Sequence, residues 1–176
     1  MGSKKVRDTY FAEILAERLS IDDQMDESPL ERGLRLEDQA IAEFEAKTGK
    51  IVEKIGFIEK DDNEFTALSP DGLIQVDGLY KEAIEIKCLS SAKHIQAWIK
   101  NEIPEDYYPQ AIQYFIVNDD LEKLHFILYD PRVMIMPMHI ITLNREDIKD
   151  DIADYQQKQE EFIAELEQTI EKIINF

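Results

Sequence analysis

The residues of this chain best suited to chemistry are Asp71, Glu85 and Lys87, fourteen and two residues apart. Asp71 stands in Ser69-Pro70-Asp71-Gly72-Leu73, a Pro-Gly bend at the mouth of an apolar run. Glu85 and Lys87 belong to Glu85-Ile86-Lys87-Cys88 in a second apolar run. In an extended chain, residues two apart project from the same face, so Glu85 and Lys87 point together. Two carboxylates can hold a divalent cation, which polarises a phosphate and lowers the pKa of a bound water. A lysine beside that water can orient it or offset charge in the transition state. The Ile86 carbonyl, between the two, could complete the coordination shell. That arrangement suits phosphodiester hydrolysis.

The elements that must position these groups are legible in outline. Asp77-Gly78 is a two-residue turn signal between strand-like runs at Leu73 to Val76 and Ala83 to Ile86, so Ser69 to Cys88 reads as a bent hairpin. Upstream, residues 5 to 19 carry Tyr10, Phe11, Ile14, Leu15 and Leu19 at helical spacing. After an acidic connection (Ile21 to Glu27), Ser28-Pro29 opens a second helix that closes near Gly49. In that helix Leu30, Leu34, Ile41 and Phe44 define an apolar stripe, and Glu37 falls on it. A buried carboxylate is costly unless it is paired or bound to a cation. The plainer reading puts Glu37 at the stripe's edge, reaching solvent or an arginine. Arg32 and Arg35, on the same helix, could pair with Glu37 or with phosphate.

Two strand-like runs, Ile51 to Ile58 and Glu64 to Leu68, flank an Asp61-Asp62-Asn63 turn before the hairpin. Beyond it come a short helix from Ser91 to Lys100, a break at Pro104 and a helix over Glu105 to Val117. Strands at Lys123 to Tyr129 and Met136 to Leu143 follow, and a long helix spans Arg145 to Phe176. The order predicts a mixed α/β (α+β) fold, a central mixed sheet with helices on its faces. No glycine-rich phosphate loop or Gly-x-Ser-x-Gly elbow is present.

At 176 residues a single domain spanning 1–176 is expected. One cysteine excludes an internal disulfide and fits a reducing, cytoplasmic location; with only three scattered histidines it also argues against zinc. Nothing approaches the ~18 apolar residues of a membrane span, so no membrane partner is expected. The net charge of −18 is unusual for a nucleic-acid binder, which normally neutralises phosphates with basic residues. Ten acidic against four basic residues lie between Asn144 and Phe176, so much of the excess is terminal. A DNA enzyme with this balance needs a local basic track.

Alone, Asp…Glu-x-Lys describes a surface hairpin with an ion pair as well as a nuclease. The surrounding motifs add specificity. Gly33-Leu34-Arg35-Leu36-Glu37 in a helix ending at Thr48-Gly49, Ser69-Pro70-Asp71-Gly72-Leu73 and Glu85-Ile86-Lys87-Cys88 occur in order, followed by Tyr108-Pro109-Gln110 with Gln113 and by Tyr129-Asp130-Pro131-Arg132. From about Val6 onward the chain resembles the phage lambda exonuclease and YqaJ-type viral recombinase family, within the PD-(D/E)XK nuclease superfamily. The resemblance implies a Mg²⁺-dependent 5′-to-3′ exonuclease on double-stranded DNA ends, with Mn²⁺ as a substitute. It further implies that Asp71, Glu85 and the Ile86 carbonyl ligate metal, that Lys87 acts on the water, and that Glu37 and Gln110 complete the site. Arg32, Arg35, Ser69 and Lys93 become candidate DNA contacts. A ring-shaped homotrimer and a single-strand-annealing partner protein in recombination are implied as well.

Family members carry a further segment ahead of the helix matched by Tyr10 to Leu19, with an arginine and a serine for the DNA 5′-phosphate; this chain is expected to lack it. Two other functions stay open: an endonuclease of restriction or repair type, and a non-catalytic interaction protein or DNA mimic, which −18 would suit. Among the remaining residues, Trp98 and Tyr107 read as packing aromatics that could alternatively stack on bases. His94 reads as a helix-surface histidine, Cys88 as a small core residue, and Met134, Met136 and Met138 as one face of a strand.

Overall fold

The computed structural model describes residues 4–21, 28–60 and 63–175. Helix α1 (Lys4–Leu19) precedes α2 (Pro29–Thr48), whose start is fixed locally. The Ser28 side chain accepts from the Glu31 N–H while Glu31 reaches back to the Ser28 N–H, a capping box, with Pro29 at the first helical position. Gly49 ends the helix at φ 71°, where a side chain would be strained.

The central sheet is mixed, as the element order predicts. Its strands are β3 (Gly72–Val76), β4 (Leu79–Lys87), β5 (Lys123–Tyr129) and β6 (Met138–Asn144), in that spatial order. β3 and β4 are antiparallel and joined through Asp77 and Gly78, both at positive φ, the conformation of a two-residue hairpin turn. β4 and β5 run parallel, and this pairing needs a crossover. The crossover consists of α3 (Ser91–Lys100), a one-turn 3-10 helix (Glu105–Tyr107) and α4 (Tyr108–Val117). β6 returns antiparallel to β5.

Period-2 alternation splits the sheet between two cores. Ile74, Ile84, Ile86, Ile127 and Tyr129 meet Leu36, Ala40, Ile41 and Phe44 of α2 on one face. Leu73, Ala83, Leu124, Phe126 and Leu128 meet Ala111, Ile112, Tyr114 and Phe115 of α4 on the other. Helix α5 (Lys149–Ile174) covers this second layer through Ile152 and Tyr155, together with Ile148 just ahead of it. No helix is long and apolar enough to cross a membrane among the described residues.

Several expectations change. Of the run from Ile51 to Ile58, only Ile58 enters a strand, β1 (Ile58–Lys60), which pairs with β2 (Asn63–Leu68) outside the main sheet. Residues 51–57 instead cross the edge of β3, where Glu53 and Leu73 exchange two backbone hydrogen bonds of 2.8 and 2.9 Å. That crossing explains Gly72: a Cβ there would come within 2.3 Å of Val52 Cγ1. The turn residues Asp61 and Asp62 and most of the acidic connection (22–27) lie outside the described residues.

Met134 and Met136 precede β6 in a turn rather than in a strand, and Met134 is 68% exposed. Arg145 also precedes α5: it lies in a 3-10 turn and donates to the carbonyls of Phe115, Asn118 and Leu121, satisfying the end of α4. On α2 the buried face is Arg32, Leu36, Ala40, Ile41 and Phe44, whereas Leu30 and Leu34 are 73% and 64% exposed. Glu37 therefore flanks the core instead of entering it.

Candidate active site

The hairpin delivers its groups as the alternation requires. Glu85 and Lys87 project from the α4 side of β4, and their side chains meet at 2.5 Å (Nζ to Oε1). Glu85 is almost fully buried, at 1% exposure, while Lys87 reaches the surface. Asp71, at the entrance to β3, accepts the Ile86 backbone N–H at 2.6 Å, which locks it beside the strand carrying Glu85 and Lys87.

Tyr114 of α4 ties the two carboxylates together. Its hydroxyl bonds Glu85 Oε2 at 2.5 Å, lies 3.2 Å from the Ile84 carbonyl and accepts the Asp71 N–H at 3.3 Å. Burial and the adjacent carboxylates push the Tyr114 phenol far above its ordinary pKa, so it stays a donor. Sequence reasoning missed this role because a tyrosine in an apolar helix reads as core. The available signal was its position one turn after Gln110, on the same helical face.

Glu37 stands across a cleft of about 550 Å³ lined by Leu30, Gly33, Leu34 and Glu37 of α2 and by Ile86, Lys87 and Tyr107. It pairs with Lys54 at 3.0 Å, and Lys54 also holds Asp38 at 2.6 Å. Burial pushes the Asp71 carboxyl up to about 6, and repulsion from Glu85 and Glu37 adds to the rise; the Ile86 N–H bond and Lys87 oppose it. Three carboxylates sharing one region in this way form a site with excess negative potential.

The other candidates divide. Lys93 is exposed and lines the same cleft. Gln110 is half-buried on α4. Ser69 spends its hydroxyl on the Gly56 carbonyl at 2.5 Å, a tie that holds the 51–57 crossing in place. Arg35 is exposed on α2. Arg32 is not a surface cation: it is 8% exposed, and its guanidinium bonds Asp130 at 2.7 Å and the carbonyls of Cys88 and Leu89. Asp130, itself fully buried, also accepts from Ser91 and Arg132, so this cluster clamps the chain just beyond Lys87 to the end of β5.

His94 is likewise buried rather than on the surface, with Nε2 2.9 Å from the Met136 carbonyl. Trp98 is half-exposed, so it does not pack in the core. Cys88 is half-buried at the edge of the core and lines the cleft, rather than lying inside the core, and burial pushes its thiol up to about 11.

Among the described residues, no three Asp, Glu, His or Cys side chains stand close enough to hold a metal ion by themselves. The donor set nonetheless suits a hard cation. Mg²⁺ commonly binds through one or two carboxylates and keeps several waters. Asp71 and Glu85 with the Ile86 carbonyl meet that description, and the Glu85 charge that adds to the burial of Asp71 in raising its carboxyl is one a cation would offset.

Residues 3–120 match the family model described as the YqaJ-like viral recombinase domain. Two solved structures are similar over nearly the whole chain. One is described as an alkaline exonuclease, LHK-Exo, from Laribacter hongkongensis: 27% identity, TM-score 0.60, 98% of this chain and 89% of that one. The other is LHK-Exo in complex with dAMP: 25% identity, TM-score 0.61, 95% of this chain and 86% of that one. No curated protein matches the chain.

Proposed function

Because the chain belongs to the YqaJ-like viral recombinase domain family, we propose that it is a Mg²⁺-dependent 5′-to-3′ exonuclease on double-stranded DNA ends, acting in phage-type recombination. The observation that carries the reading is the joint placement of Asp71, Glu85 and Lys87 on one strand pair, with Glu85 held between the Lys87 ammonium and the Tyr114 hydroxyl. The similar LHK-Exo structures, an alkaline exonuclease and its dAMP complex, support both the activity and a nucleotide-sized product.

In this reading Asp71, Glu85 and the Ile86 carbonyl hold the metal, with Mn²⁺ as a substitute. Bound there, the ion polarises the phosphate and lowers the pKa of an attacking water. The chain's own groups do the positioning. Tyr114 fixes Glu85 through Oε2, and Oε1 meets Lys87, which lines the cleft. Lys87 orients the water and offsets charge that develops on the phosphate oxygens. Asp71 keeps its angle through the Ile86 N–H. Glu37, across the cleft, adds a carboxylate to the same field, and Lys93 offers a cation to the DNA backbone. As water attacks phosphorus, the P–O3′ bond breaks, releasing a nucleotide with a free 3′-hydroxyl and leaving a 5′-phosphate on the strand. The family resemblance further implies a ring-shaped homotrimer working with a single-strand-annealing protein, and we extend both to this chain as one catalytic domain over residues 1–176.

Linear duplexes labelled at either end, incubated with Mg²⁺ beside a closed circular duplex, test the reading. Expected is release of label from 5′ ends as mononucleotide, with the circle intact. Cleavage of the circle would replace the exonuclease by an endonuclease, and no cleavage at enzyme excess would favour a non-catalytic protein.

A further inference from the structure

We propose that Tyr107 is a positioning residue for Lys87, its ring holding the lysine ammonium over the cleft; this inference rests on the nuclease reading of the site. The Lys87 Nζ lies 5.1 Å from the centroid of the Tyr107 ring, within the range of a cation–π contact. The ring is itself fixed. It packs on Phe126 with centroids 6.3 Å apart, and the Tyr107 N–H donates to the Pro104 carbonyl at 2.8 Å, closing the one-turn 3-10 helix that leads into α4.

A second anchor answers a specific need. Lysine carries its charge on a flexible four-carbon stem, and Lys87 reaches partly into solvent. Its other partner is Glu85, the carboxylate that a divalent cation would also claim. An ammonium restrained only by Glu85 would lose its orientation just when the site is assembled. The Tyr107 ring face restrains it without offering a competing oxygen to the metal.

Tyr107 also forms a wall of both the catalytic cleft and a neighbouring cavity of about 490 Å³ between α1, α3 and residues 102–107. A direct substrate-binding role is therefore the alternative that a test must separate.

Steady-state kinetics on linear duplex with saturating Mg²⁺ separate them through two variants. Tyr107→Phe keeps the ring and should restore kcat to within about twofold of wild type. Tyr107→Leu keeps apolar bulk against Phe126 but removes the ring face, and should lower kcat about three- to thirtyfold with an unchanged KM. An independent readout is the NMR shift of the Lys87 ε-methylene: an upfield ring-current shift in wild type and Tyr107→Phe, lost in Tyr107→Leu. Equal kcat in the two variants, or an effect of Tyr107→Leu on KM alone, would overturn the proposal. If the wild-type protein proved inactive, the nuclease reading would fall, and the NMR shift would still decide whether the ring holds Lys87.

Discussion

The Tyr114 hydroxyl on helix α4 bonds the Glu85 carboxylate on strand β4 and accepts the Asp71 N–H from the start of β3. One phenol thus joins three elements at the point where the carboxylates converge. Tyr114→Phe keeps the packing and removes this junction. Bonds to charged groups contribute about 1.5–3 kcal/mol, so denaturant melts should show a loss of that order. Turnover should fall at least about tenfold, because Glu85 then keeps only its Lys87 contact and its carboxylate is less well oriented. A variant with wild-type turnover would mean that the hydroxyl only fills space.

Asp71→Asn should stabilise the metal-free protein while abolishing cleavage. The Asp71 carboxyl is pushed up to about 6 from an ordinary value of 3.8. A raised acid is more stable protonated, so the metal-free fold loses stability as pH climbs from about 4 through 6. At pH 7 that loss is of the order of 1–3 kcal/mol. Asparagine can still accept the Ile86 N–H but carries no charge. Thermal melts in chelator at pH 4 and pH 7.5 check this: the variant's lead should be small at the lower pH and should widen at the higher.

Arg32→Met should weaken the fold rather than DNA binding. Removing the guanidinium leaves Asp130 buried with part of its pairing lost, which typically costs about 3–5 kcal/mol. Below its melting temperature the variant should bind duplex with near wild-type affinity. A large loss of affinity in a folded variant would restore Arg32 as a DNA contact.

His94 supplies a pH dependence of opposite sign. Burial holds its imidazole below the ordinary value of 6.5, outweighing the Met136 carbonyl that favours the charged form. A folded-state pKa below the unfolded one makes stability fall as pH drops below about 6.5. His94→Gln should flatten that part of the melting profile; an unchanged slope would assign the acid sensitivity elsewhere.

Local codes made much of the fold legible. The Ser28–Glu31 capping box, the Gly49 stop and the Asp77-Gly78 turn each act within a few residues, so the sequence contains the whole interaction. The period of two in β4 likewise put Glu85 and Lys87 together. What escaped depends on distant partners. Helical periodicity shows which residues of α2 share a face but not which face meets the sheet; Leu30 and Leu34 turned out to line the cleft, and Arg32 the core. The burial of His94 and the reach of the Tyr114 hydroxyl are set by chain segments 29 or more residues away. The family resemblance implies a DNA contact at Ser69, whereas its hydroxyl is engaged with the Gly56 carbonyl.

The most direct test of the account is the rate of nucleotide release from linear duplex DNA in Mg²⁺ by wild type, Glu85→Gln and Lys87→Ala. Both substitutions leave the hairpin turn and the two cores intact, so the folded variants can be compared at equal concentration. Mg²⁺-dependent release by wild type, with losses of at least about a hundredfold in each variant, is the expected result. Wild-type rates in either variant would contradict the assignment of this strand pair as the catalytic centre.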